Sequence, residues 1–276
     1  MMSDIDRNVG FGAAMTQAET AAIDAGLRSY MRRVYNYMMI GLAITGAAAL
    51  GLYLLSVTGT VADASYVIRA GRVIPVPAGF VAQGRDILLT GIGYAVFVSP
   101  LKWAIIFAPL ALVFGLSFGV ERLRPATAQF LFWLYAAMVG LSLASIFLIY
   151  THTSITRVFF ITAASFGALS LWGYTTQRDL SGMGSFLIMG LFGIIIASLV
   201  NIFLASSALQ FAISVIGVIV FVGLTAYDTQ QIKEMYFEND DAQTAGKKAI
   251  MGALRLYLDF INLFMRLLQL FGSRRD

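Results

Sequence analysis

The chain has 276 residues, 59% of them hydrophobic and only 12% charged, with a mean hydropathy of +0.79. That balance lies outside the soluble globular range, indicates an integral membrane protein, and leaves no room for a soluble catalytic domain. The absence of cysteine excludes disulfides, thiol catalysis and thiolate metal sites; the net charge of +4 comes from basic residues scattered at the ends of apolar runs, a membrane flank rather than a nucleic-acid surface.

Residues 1–34 read as a polar tail ending in Arg28, Arg32 and Arg33, followed by a membrane domain over residues 35–272. A first span is expected over Tyr35–Val57, where Ala43, Ala47 and Gly51 at four-residue spacing permit close helix contact. The charged, Gly- and Pro-bearing stretch Thr58–Asp86 reads as an extracytoplasmic loop reaching residue 100. Within it Ile87–Val98 is apolar but too short to span, and reads as interfacial or re-entrant. Further spans are expected over Leu101–Val120, Ala126–Tyr150, Ile155–Tyr174, Ser185–Leu204, Leu209–Gln231 and Ala249–Phe271, with Pro125 opening the third.

The expected fold is therefore an all-α integral membrane protein of seven transmembrane helices. Lys and Arg are more numerous on the side of the N-terminus, which places it in the cytoplasm; the C-terminus then lies outside unless the seventh helix is re-entrant. His152, the only histidine, falls in the turn between spans three and four and reads as solvated. Asn201, near the end of span five, reads as a hydrogen bond to a neighbouring helix. The acidic cluster Glu238, Asp240 and Asp241 lacks the spacing of an EF-hand loop and reads as a solvated turn.

Only Asp228 and Asp259, among the acidic residues, fall inside apolar spans. A carboxylate at mid-span costs about 2.5 to 3.5 kcal/mol on insertion scales, so it must face protein or water rather than lipid. The last helix should accordingly be surrounded by the others. Two carboxylates brought together at low dielectric cannot easily both ionise; they share a proton and titrate as a pair. On the last helix Arg255, Asp259, Asn262 and Arg266 fall on one face, and Arg255 stands one turn from Asp259, placed to pair with it.

Four stretches in combination, WGYTTQRDLSGMGSFL (Trp172–Leu187), LVNIF (Leu199–Phe203), AYDTQQI (Ala226–Ile232) and LYLDFINLF (Leu256–Phe264), resemble the Bax inhibitor-1 family in its bacterial branch. The resemblance covers about Arg28 to Gly272 and weakens over Thr58–Pro100. It implies six helices enclosing the seventh, and a pH-sensitive calcium leak across the bacterial inner membrane, with calcium as cargo, no cofactor and no enzymatic activity. It further implies that Asp228 and Asp259 form the pH sensor and can touch calcium. An arginine at the end of helix two engages the pair, by position Arg122, with Arg124 as the other candidate. By their position in the spans, rather than by the resemblance, Arg255, Asn262 and Asn201 read as supporting polar residues; Arg255 and Arg266 are positive charges outside the family pattern. An alternative implied role is that of an adaptor which modulates a membrane-bound quality-control protease through the N-terminal tail. Intramembrane aspartyl proteolysis needs a GxGD context at the second aspartate, and Asp259 has LYLD instead.

Overall fold

The computed structural model describes residues 4–84, 86–119 and 123–275, with side chains from residue 23 onward except residues 116–118. The helices are α1 (Asp4–Ser56), α2 (Gly91–Phe97), α3 (Leu101–Gly119), α4 (Pro125–Leu143), α5 (Ile146–Ile149), α6 (His152–Thr175), α7 (Ser181–Leu204), α8 (Ser207–Glu234) and α9 (Ala242–Phe271). Local chemistry sets their ends. Pro125 opens α4, where its missing N–H costs no intrahelical bond. Thr151, Ser206 and Asp241 cap α6, α8 and α9 by accepting from the backbone N–H three residues on. Ala205, left-handed at φ 47°, turns α7 into α8 within two residues.

Five stretches, 23–56 in α1, α4 with α5, α6, α7 and α8, are long and apolar enough to cross a membrane; α2 and α3, bent by 58°, form a broken sixth candidate. α9 differs because it carries Arg255, Asp259 and Arg266 among its apolar residues. Those apolar residues make the core of the bundle, where Leu256, Tyr257, Leu263 and Leu268 are fully buried. α9 packs directly against α1, α4, α6 and α8, while α3 and α7 lie further out, against α4 and α8. The expected central helix is present, with four near neighbours and two helices beyond them.

Several expectations change in detail. The polar tail is helical: from Asp4 it continues into α1 as one helix of 53 residues. α9 is unbroken, and the chain beyond it is tied to the α5–α6 junction by Thr151 N to Ser273 O (3.1 Å), Ser273 N to Ser154 Oγ (2.8 Å) and Arg275 N to Ile149 O (2.9 Å). The last helix is therefore continuous, with its C-terminal end held beside the α5–α6 junction. His152 is the first residue of α6 rather than a loop residue; its Nε2 lies 3.1 Å from Arg275, and its ring packs edge-on against Tyr53. Of the acidic cluster, Asp241 caps α9 and Asp240 pairs with Lys248 at 2.5 Å.

The small residues of α1 are corrected too. Its close approach to α4 is at Thr45, whose backbone carbonyl would obstruct a Cβ on Gly140, and at Gly41, which lies against the Phe132 ring. Ala43 and Ala47 are exposed on another face, and Gly51 has open space beside it.

Residues 57–89 form an antiparallel sheet that the all-α reading missed, with strands β1 (Val57–Thr58), β2 (Tyr66–Arg69), β3 (Arg72–Pro75) and β4 (Ile87–Leu89) in the order β1-β4-β2-β3. β2 and β3 are joined by Ala70-Gly71, both at positive φ (49° and 75°), the turn that matches the twist of a hairpin. Arg69 grips Asp86 with two bonds, Nε to Oδ1 at 2.9 Å and Nη2 to Oδ2 at 2.6 Å, and Gln83 N donates to the same carboxylate at 2.7 Å. The Arg69 guanidinium and then the Gln83 N–H push the Asp86 carboxyl down to about 2. Because this folded value lies below the usual carboxylate range, the contact contributes stability above about pH 4 and loses it as pH falls toward 2. Amide protection factors in β2 and β3 are expected to drop over that interval, and to be already low at neutral pH in Asp86→Asn.

Candidate functional site

The end of α8 at which Asp228 sits is organised by the residues around it. Thr229 Oγ1 lies 2.9 Å from Ser170 Oγ of α6, which in turn lies 2.6 Å from Tyr35 Oη of α1. Gln230 accepts from Leu180 N and donates to Arg178 O, both at 2.8 Å, pinning the α6–α7 turn to α8. Lys233 Nζ donates to Tyr174 O at 3.0 Å. Small residues make this closeness feasible: a Cβ on Gly173 would run into the Ala226 carbonyl, and one on Gly184 into the Tyr227 ring. One turn of α8 thus holds α6 and the α6–α7 turn, while Asp228 is left to face α9.

There the carboxyl groups of Asp228 and Asp259 meet across the α8–α9 contact, within hydrogen-bonding reach of each other. Asp259 is 5% exposed, and its Oδ2 is buried without a hydrogen-bond partner among the described residues. Asp228 is half-buried. A buried carboxylate oxygen with no donor is costly when charged, and a proton held between the two groups removes that cost. The geometry brings together the two residues singled out from the sequence.

The supporting residues divide differently. Arg255 is exposed, and its charge acts on both aspartates, yet it forms no ion pair with Asp259 among the described residues. Arg122 lies outside the described residues. Arg124 is exposed at the residue before α4 and makes no ion pair among them. Asn262 donates to Leu258 O of its own helix at 2.9 Å, so it is not part of the pair. Asn201 accepts from Ser206 N at 3.0 Å and donates to Gln210 Oε1 at 3.1 Å, bracing the α7–α8 turn. Gln210 continues to Gln269 Oε1 at 3.2 Å, which also accepts from Ser214 Oγ at 3.0 Å and Arg266 Nη1 at 3.2 Å. Arg266 and Asn201 thus belong to a second polar cluster, near the opposite end of α8.

Sequence reasoning passed over Tyr35, Ser170, Thr229, Gln230 and Lys233. Three of these flank Asp228 within the eight residues Ala226–Lys233, and polar residues in an apolar helix were the signal that could have found them. No group of three or more His, Asp or Glu residues able to hold a metal occurs among the described residues.

The family model for "Inhibitor of apoptosis-promoting Bax1" matches residues 27–276. An uncharacterised protein of Rickettsia prowazekii is 44% identical over 261 residues, covering 95% of this chain and 96% of that protein. One from Caulobacter vibrioides is 42% identical over the full length of both. Inner membrane protein YbhL of Escherichia coli is 46% identical over 253 residues, covering 91% of this chain and 94% of that protein. With its apolar helices packed around α9 and this match over nearly its whole length, the chain belongs to the Bax inhibitor-1 family of multi-pass membrane proteins.

Proposed function

We propose that this protein is a proton-sensitive leak for calcium across the bacterial inner membrane, with its N-terminus cytoplasmic and the Asp228–Asp259 pair as its sensor. The observation that carries the reading is the buried Asp259 carboxyl, whose Oδ2 has no donor among the described residues and which meets the carboxyl of Asp228. With one proton the pair bears a single negative charge. Without it, two unit charges about 4 Å apart at an effective dielectric near 20 repel by about 4 kcal/mol, so the pair must part or take up a cation. Arg122 and the calcium ion itself are the cations proposed for that role, and separation of α8 from α9 at this end opens the path.

A second reading, docking to a membrane-bound protease, draws support from the continuity of α1 back to Asp4, which makes the N-terminal segment a helical arm. One experiment separates them. Calcium entry into liposomes that contain only the purified protein is expected to exceed that of empty liposomes and to change between about pH 6 and 8. Entry equal to that of empty liposomes at every pH would remove the leak and leave the adaptor.

A further inference from the structure

α1 and α6 line a long groove of about 1130 Å³ on the side of the bundle, floored by Phe260 of α9. It is larger than the about 300–1,000 Å³ of ordinary small-molecule sites. Its walls are apolar, with Met39, Ala43 and Ala47 on one side and Phe159, Ala163 and Leu171 on the other. The groove exists because the residues that would fill it are absent: Gly46 and Gly167 both line it, and a Cβ on either would meet no atom within 4 Å.

One end is different. Arg28 and Arg32, one helical turn apart, line the same groove together with Tyr35, Ser170 and Tyr174. Both arginines are exposed and have no ion pair among the described residues. Lys233 adds a third cation, its Nζ 3.0 Å from the Tyr174 carbonyl and above that ring. Tyr35–Ser56 of α1 spans about 33 Å, enough for the hydrocarbon, which puts Arg32 and Arg28 about 5 and 10 Å beyond it, at headgroup depth.

We propose that this groove is a binding site for one anionic phospholipid, its acyl chains between α1 and α6 and its phosphate held by Arg28 and Arg32. Apolar walls that end in unpaired cations at headgroup level match that one class of molecule. A hydrophobic helix from another protein would fill the walls and leave both arginines without an anion. Free phosphate would meet the arginines and leave the walls empty.

Native mass spectrometry of the purified full-length protein, with phosphatidylglycerol or phosphatidylcholine of the same acyl chains added, tests the site. The wild type is expected to retain one phosphatidylglycerol with at least about a tenfold preference. Arg28→Gln/Arg32→Gln should reduce retention to the phosphatidylcholine level. Gly46→Leu/Gly167→Leu, at two positions where a Cβ meets open space, fills the groove and favours the helix, and should abolish retention of both lipids. Gly193→Leu on α7, where a Cβ also meets open space, should behave as wild type. Equal retention of the two lipids by the wild type would overturn the proposal. So would undiminished retention in the filled-groove variant, which would leave only surface charge, or a dimer in place of bound lipid that the filled groove abolishes.

Discussion

Asp259→Asn is expected to abolish the pH response of the calcium leak between about pH 6 and 8. The substitution keeps shape and hydrogen-bonding capacity but removes one of the two interacting charges. The repulsion of about 4 kcal/mol between two carboxylates, which the proposed reading makes the source of the response, is then absent. What remains is Asp228, half-buried beside the charge of Arg255, a single carboxylate with no second one to share its proton. His152→Ala should leave the response unchanged, because His152 stands with Tyr53 and Arg275 at the other end of the bundle. A response that survives Asp259→Asn and vanishes in His152→Ala would move the sensor to that cluster.

Tyr257→Ala should be among the most damaging single changes to stability. Tyr257 is fully buried at the centre of the bundle, its ring edge-on to Phe132 and Tyr135 of α4, and its hydroxyl 2.7 Å from Thr45 Oγ1 of α1. Truncation leaves a cavity where three helices meet, and large-to-small changes of this kind cost about 3–5 kcal/mol. Association of membrane helices depends on such packing rather than on removal from water, so the loss has little to offset it. Tyr257→Phe keeps the ring, and Thr45 retains the Gly41 and Ala136 carbonyls at 3.0 and 2.9 Å, so it should cost only about 1 kcal/mol. Loss of helical signal against added denaturing detergent should place Tyr257→Ala well below wild type and Tyr257→Phe close to it.

The long helices and the aspartate pair were legible because each rests on one strong physical rule. Uncharged runs of span length have to be helices in a bilayer, and carboxylates within them have to find protein. What was not legible depended on partners distant in sequence. The stretch SYVIRAGRVIP carries a Val-Ile pair on each side of an Ala-Gly turn, but its charges and its Gly and Pro neighbours favoured a loop reading, and the register is completed only by Ile87–Leu89. Ala43, Ala47 and Gly51 carry the spacing of a helix contact, yet spacing does not say which face of α1 meets α4; Gly41 and Thr45 do so instead. Arg255 sits one turn from Asp259 as an ion pair would require, but it points outward while the carboxylate turns inward.

Locking α8 to α9 beside the aspartates tests most directly whether that contact is the gate. The chain has no cysteine of its own, so Ile232→Cys/Gly252→Cys supplies the only thiols. Ile232 lies one turn from Asp228, and a Cβ on Gly252 would stand 2.9 Å from Ile232 Cγ2, close enough for the two sulfurs to bond once the isoleucine is shortened. In liposomes, oxidation is expected to reduce calcium entry to the level of empty liposomes at every pH, and reduction to restore both the leak and its pH response. Calcium entry with the same rate and the same pH dependence before and after complete oxidation would contradict a gate at the Asp228–Asp259 contact.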